Sequence, residues 1–523
     1  MNKIVLAQIN TIAGNINYNT QKIRQSIEKA KEVNADLIIF PKDALIGHPL
    51  GDIAKRHKSI IDRKDCALNE IANSFSDITI VLENAVINGG KIFHISSFAL
   101  NGEKFAFELS KDVDTVIIPA NQQTRAGAEY ERNLKLSNIA KEYGVNCIFV
   151  NQVGYADNIV FDGLSRIYNK NGELTLRAKC FEEDLVFVQN YVGEIQPMPN
   201  GMEKHLDINN FDMNYSDDLE RTYKSCVFAI KEYFAKNGFK KAVLGLSGGL
   251  DSTISVVLLV DALGRENVYG VSMPSKITSQ GSKDDARILA ENLGISFQEI
   301  PLADAIDPMK EILDYAFVFV EAEKYEKSTT IENLQARTRA TILWSIANEH
   351  KNMLPIATSD KSEAYIGYAT VNGDMSGGFA PLLDITKTKL FALGHFMNEY
   401  REQKNVIPQA ILEKPPGAEL KINPETGNPV YAEEDNMPYP FLDEIIWLVE
   451  KFGYGFDELL NHKFYFEQKQ EVSYEQKKEW INKFFWKQHC AVFKWHIIPP
   501  SIIVDTHSIN SVEYRQPIIS KIF

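Results

Sequence analysis

Apolar and polar positions divide the chain into short runs of strand period and longer runs of helix period. In KIVLAQIN (3–10) the two kinds of residue alternate, which predicts a strand. NYNTQKIRQSIEKAKEVNA (17–35) then brings Ile23, Ile27 and Ala30 to one helical face, and ADLIIFP (35–41) is a short apolar run suited to a buried strand. TIVLEN (79–84), HISSFAL (94–100) and NCIFVNQVG (146–154) predict further strands, with ERNLKLSNIAKEYG (131–144) a helix closed by Gly144. Pro and Gly replace the pattern at VGEIQPMPNG (192–201). Beyond that break, LERTYKSCVFAIKEYFAKNGF (219–239) is an amphipathic helix ending at Gly238. KKAVLGLSGGLDSTISVVLLVDALG (240–264) follows as strand, glycine-rich turn and helix. VYGVSMP (268–274), ISFQEIPL (295–302) and MLPIATS (353–359) predict later strands, with helices at 282–293 and 331–349 between them. The aromatic, lysine-rich tail from about 456 reads as a helical cap that packs its rings on the preceding core.

A strand, a glycine-rich turn and a helix open a doubly wound α/β nucleotide-binding domain. With 523 residues, two sizeable domains are expected: 1–195, a linker at 196–215, a second domain over 216–455, and a segment 456–523 completing it. The 56 Lys and Arg against 70 Asp and Glu give a net charge of −14, which argues against duplex nucleic acid as a partner. Five cysteines, with no CxxC pair and no zinc spacing, read as reduced thiols of a cytoplasmic protein. The apolar run at the N-terminus is too short for a signal peptide, and no stretch reaches the roughly 20 apolar residues of a membrane span.

The chemistry concentrates in LGLSGGLDS (244–252). Glycines at 248 and 249 let backbone N–H groups approach an anion, and the helix N-terminus adds positive potential. Ser247 and Ser252 can donate hydroxyls to phosphate oxygens. Asp251 cannot, so its natural role is to hold Mg2+ bridging phosphates. No lysine follows as in GxxxxGK[ST], so the grip suits a pyrophosphate that leaves rather than a phosphoryl group that is transferred.

SGGLDS resembles the signature of the N-type ATP pyrophosphatases, and further segments narrow the likeness to the NAD synthetases. These are MPSKITSQGSKDDA (273–286), IENLQARTRA (331–340), ATSDKSEAYIGYATVNGDMSGGFAPLLDITKT (357–388), KPPGAEL (414–420), EEDNMPYPFLDEI (433–445), FKWHIIPP (493–500) and EYRQPI (513–518). The resemblance implies ATP held by Gly245, Leu246, Ser247, Gly248, Gly249, Leu250, Asp251 and Ser252, with Thr358, Lys387 and Thr388 nearby. It implies Mg2+ on Asp251 and Glu363. Asn333, Arg337, Arg339, Glu363 and Lys494 would face deamido-NAD, the two arginines across a subunit boundary if the chain dimerises there. Two departures stand out: Ser359-Asp360, where the family usually has Gly-Asn, and Trp495, where an arginine is usual. The implied reaction adenylates the nicotinate carboxylate of deamido-NAD and replaces AMP with ammonia, in a chain that is at least a dimer.

KIVLAQIN, ADLIIFP, IFVNQVG and VFDGLSRIYNKNGEL resemble the nitrilase-like glutaminase domain of glutamine-dependent NAD synthetases, an αββα sandwich. Such a domain needs a cysteine nucleophile, a glutamate base and a lysine. Lys42 stands where the glutamate belongs, and no segment matches the nucleophile strand. Lys111 is a candidate relic of the catalytic lysine, Cys147 reads as a core cysteine, and His48, with no thiol or carboxylate partner near it in sequence, reads as a loop residue. The expectation is a degenerate glutaminase retained as scaffold beside a ligase that draws free ammonia. Glutamine use through a rearranged or partner-supplied site, amidation of nicotinate mononucleotide, and a pseudoenzyme assembly module remain the alternatives.

Overall fold

Alternation in the first strand decides how the N-terminal part is layered. In a computed structural model, which describes residues 3–57, 59–94, 115–189, 196–197, 215–319, 329–417, 433, 436–465, 472–506 and 508–509, the strand Lys3–Gln8 sends Ile4 and Leu6 to one face and Val5 and Ala7 to the other. Ile4 and Leu6 meet Leu37, Ile39, Ile148, Val150 and Ile167 between two sheets. Val5 and Ala7 join Ile23, Ile27, Ala30, Leu68 and Ile71, from the helices Ile16–Glu32 and Ser59–Ser74. On the far side, Cys147, Phe149 and Ile118 pack under Leu136, Ile139 and Ala140 of the helix Ala128–Tyr143. Helix, sheet, sheet and helix therefore stack in that order, the expected αββα sandwich.

The first sheet has seven strands, in the order Gln196–Pro197, Asp184–Gln189, Lys3–Gln8, Leu37–Ile39, Thr79–Leu82, Ala85–Asn88 and Lys91–His94. The second has four: Leu174–Arg177, Arg166–Tyr168, Asn146–Asn151 and Thr115–Ala120. Both faces of Lys3–Gln8 are covered, so even Gln8 is buried, its amide donating to the Lys179 and Glu182 carbonyls at 2.7 Å. Gly144 ends the Ala128–Tyr143 helix in the left-handed region, φ 63°, as expected.

The chain divides into two compact units, Met1–Met213 and Asn214–Phe523. Gln196 and Pro197, placed in the expected linker, instead extend the first sheet by pairing with Val188 and Gln189. The rest of that linker up to 214, most of the expected strand 94–100, Lys111 and EYRQPI lie outside the described residues.

The second unit is built on a parallel sheet in the order Ser296–Glu299, Val268–Ser272, Lys241–Gly245, Met353–Pro355. Strand succession reverses at Lys241–Gly245, and the carboxyl ends of strands at such a reversal form a crevice for ligands. The helix Leu250–Leu263 is apolar all round because it packs both on this sheet and against the helix Tyr215–Asn237. Val243, Val271 and Met353 pack with Leu343 and Ala347 of the helix Thr330–Glu349. The helix Tyr439–Phe452 and the tail helices Phe456–Asn461 and Tyr474–Trp495 bury Phe441, Phe484, Phe485 and Trp495 in a second core. No helix among the described residues is long and apolar enough to cross a membrane.

Candidate active site

The turn after Lys241–Gly245 is shaped for an anion. Gly248 has φ +76°, and a Cβ there would fall 2.2 Å from the Ser282 carbonyl oxygen, so only glycine fits. Gly249 starts the Leu250–Leu263 helix in extended conformation without a side-chain cap, leaving the first-turn N–H groups open. Ser247 Oγ lies 3.2 Å from Ser252 Oγ and accepts the Gly249 N–H at 3.2 Å, which closes the loop on itself. Leu246 and Leu250 are buried and anchor its two ends, while Gly245 closes the strand. Residues 245–252 are those the sequence expected to hold the ATP phosphates.

Beside the cradle sits one buried ammonium. Lys387, at the start of the helix Lys387–Tyr400, lies 2.7 Å from Asp251, 2.5 Å from Asp360 and 2.9 Å from Glu363. Asp360 follows Met353–Pro355 and caps the short helix Lys361–Tyr365, its Oδ1 accepting the Glu363 N–H at 2.9 Å. The three carboxylates come from the two strands at the reversal, and one oxygen of each lies within 4.8 Å of the others. Such a set of hard oxygen donors fits a divalent cation. Burial pushes the Asp251 and Asp360 carboxyls upward, and Lys387 pulls them back. Burial also works against the Lys387 ammonium, but the three carboxylates outweigh it and hold the lysine above its ordinary value. Tyr439 donates its hydroxyl to Glu363 at 3.1 Å.

The remaining predicted residues divide into two groups. Thr388, expected near the triphosphate, turns its hydroxyl to Asp443 at 2.7 Å, and Asp443 also accepts the Thr388 N–H and the Ser362 hydroxyl. Its side chain therefore fixes the start of the Lys387–Tyr400 helix. Thr358 is half-buried on the segment leading to Asp360. Asn333 accepts the Thr370 hydroxyl at 2.7 Å, Arg337 donates to the Val371 carbonyl at 3.1 Å, and Arg339 donates to the Met273 carbonyl at 3.2 Å. Burial brings Arg339 down to about 10, with Asp374 opposing the shift. Lys494 donates to the Gly367 and Ala369 carbonyls at 2.7 and 2.6 Å, and burial lowers it. Asn333, Arg337 and Lys494 thus share the segment 367–371, a grouping separate from the Lys387 cluster. Trp495, the second departure, donates from its indole to the Ala364 carbonyl at 2.9 Å and so ties the tail to the helix bearing Glu363.

Residues 222–488 match the family model described as NAD synthase. Glutamine-dependent NAD(+) synthetases of Aquifex aeolicus and Acinetobacter baylyi are 32% and 30% identical to the chain. The alignments cover 86% and 85% of it, and 89% and 87% of those proteins. The chain belongs to the NAD synthase family. Among solved structures, the glutamine-dependent NAD+ synthetase of Acinetobacter baumannii in complex with ADP matches with a TM-score of 0.69 and 28% identity, over 99% of this chain and 98% of that one. The Cytophaga hutchinsonii glutamine-dependent NAD(+) synthetase shares the fold, with a TM-score of 0.78 at 19% identity over 99% and 97% of the two chains. An ATP-dependent amide ligase with a nitrilase-like N-terminal unit is the family's form, and this chain has it.

Within that nitrilase-like unit, Lys42 stands in the loop after Leu37–Ile39, where the family's base was expected. Asp43 follows in the left-handed region, φ 54°, and its Oδ2 accepts from Asn121 at 2.9 Å. His48 has a carboxylate neighbour after all: its Nδ1 lies 3.6 Å from Asp43, because the loop folds back through Gly47. Glu83, which the sequence did not single out, accepts the Leu45 N–H at 2.6 Å, and burial together with Asp43 pushes it up to about 7. None of the five cysteines forms a disulfide, and of them Cys147 and Cys226 are buried. Cys147 is fully buried under the Ala128–Tyr143 helix, and burial pushes its thiol up to about 12.

Proposed function

We propose that this chain makes NAD from deamido-NAD, converts ATP to AMP and pyrophosphate, and takes free ammonia as the nitrogen source. A nicotinate carboxylate oxygen attacks the α-phosphorus of ATP, the bond to the β-phosphate breaks, and pyrophosphate leaves into the cradle of residues 245–252. Ammonia then attacks the acyl carbon, the C–O bond to AMP breaks, and the spare proton passes to solvent. The open helix N-terminus at Gly249 and the Lys387 ammonium counter the negative charge gathered during the first step. Asp251 and Glu363, with Asp360 beside them, would hold Mg2+, which when bound offsets phosphate charge. Asn333, Arg337, Arg339 and Lys494 are the side chains we assign to the dinucleotide.

The observation that carries this reading is the meeting of Asp251, Glu363 and Lys387 at the mouth of the cradle. Ammonia rather than glutamine is supported by Lys42 in the place of the base, and by a buried Cys147 thiol that burial pushes up to about 12. Assembly into at least a dimer, residence in the cytoplasm and small-molecule partners only belong to the same reading. The test is direct: purified protein receives Mg-ATP and deamido-NAD with either ammonium or glutamine, and NAD and AMP are followed. NAD from ammonium alone is expected. Comparable NAD from glutamine would falsify the ammonia assignment, and no NAD from either would sink the deamido-NAD substrate.

A further inference from the structure

Asp360 differs from its two neighbours in the Lys387 cluster. Asp251 and Glu363 keep 24% and 18% of their side chains exposed, whereas Asp360 keeps none. Its contact with Lys387 is also the shortest of the three, at 2.5 Å. Its other oxygen is fixed by the Glu363 N–H, so the carboxylate cannot turn without uncapping the Lys361–Tyr365 helix. The rim carboxylates can turn toward solvent. Asp360 forms the floor of the site and cannot.

That division has a consequence once a cation enters. A divalent ion recruits Asp251 and Glu363 and strips Lys387 of two partners. A buried ammonium left without a carboxylate is strongly disfavoured, so the lysine would be driven outward. We infer that Asp360 is a positioning residue that tethers Lys387 when Asp251 and Glu363 turn to the cation, keeping the ammonium beside the leaving pyrophosphate. The inference rests on the functional reading above. A neutral asparagine, which the family resemblance leads one to expect here, keeps the helix cap and the shape but supplies no charge to hold the lysine.

Asp360→Asn isolates that charge. Wild type and variant are treated with acetic anhydride with and without Mn2+, and acetylation of Lys387 is read by peptide mass spectrometry while Mn2+ uptake is followed by electron paramagnetic resonance. In the wild type, Lys387 should stay protected under both conditions. In Asp360→Asn its labelling should rise by about fivefold or more, and only with Mn2+ present, as the ammonium leaves its buried site. Labelling of the variant that ignores Mn2+, labelling of the wild type that rises with Mn2+, or wild type that takes up no Mn2+ would each overturn the tether. Asp360→Ser, which also caps a helix, replaces the variant if Asp360→Asn does not fold. NAD formation is measured on the same samples: NAD with unchanged labelling of the variant removes the tether and leaves the functional reading, and the expected Mn2+-dependent labelling of the variant without NAD from wild type does the reverse.

Discussion

Two side chains of the N-terminal unit carry their environment into measurable chemistry. Cys147, like Cys226 of the second unit, is buried and pushed up to about 12, while Cys66, Cys180 and Cys490 are exposed. Native protein treated with iodoacetamide at pH 8 should therefore be modified at the three exposed cysteines and spared at the two buried ones. Cys147→Ala should leave ammonium-supported turnover within about twofold of wild type, because the thiol serves packing only. Glu83 predicts a pH dependence. Burial first, and Asp43 second, hold its carboxyl at about 7, above the usual range, so the unfolded chain loses this proton before the folded one as pH rises. The stability it contributes is complete below about pH 4 and is lost as pH climbs through about 7. Glu83→Gln should match wild type in thermal melts near pH 4 and exceed it by about 2 kcal/mol above pH 8. Cys147 was legible in the sequence as a core residue of an apolar strand. Glu83 was not, since a single glutamate ending TIVLE shows neither its burial nor Asp43, which reaches it from another loop.

At the scale of elements, what is local in sequence was read correctly and what depends on pairing was not. The strand, turn and helix over 241–263 lie within one short stretch, and their glycines, helix start and apolar run are all visible there. Gly248→Ala tests the turn: a Cβ 2.2 Å from the Ser282 carbonyl, at φ +76°, forces the loop open. We expect kcat/KM for ATP to fall by at least about a hundredfold, which matches the loss of one preorganised anion contact or more. Two hairpins were passed over although their turns carry the signal. Gly89-Gly90 joins Ala85–Asn88 to Lys91–His94, and Gly172, φ 75°, lies between Arg166–Tyr168 and Leu174–Arg177. Their strands have only three or four residues each, too few for period two to stand out.

On the scale of the whole molecule, the tail proves to be part of the ligase unit's interior. The Trp495 ring lies tilted against Tyr365, centroids 5.3 Å apart, and its indole donates to the Ala364 carbonyl, 131 residues away in the chain, so the last long helix supports the helix that carries Glu363. Trp495→Ala should cost about 3–5 kcal/mol in urea unfolding and lower turnover as well, since the cavity opens directly behind the site. The aromatic content of that tail predicted a packed cap, but not the loop it packs on. By itself the sequence determined most strands and helices and the glycine-rich turn, because periodicity, glycine conformation and helix starts are properties of a few neighbouring residues; the family, and the αββα sandwich with it, came from the resemblance of several short segments. The resemblance put Asp251 and Glu363 on one cation with Lys387 near the triphosphate; only the tertiary structure decided that Asp360 joins them and that Lys387, 136 residues beyond Asp251, is paired with all three carboxylates. A buried carboxylate requires a cation from whichever element the fold brings alongside, and no local pattern records which one that will be.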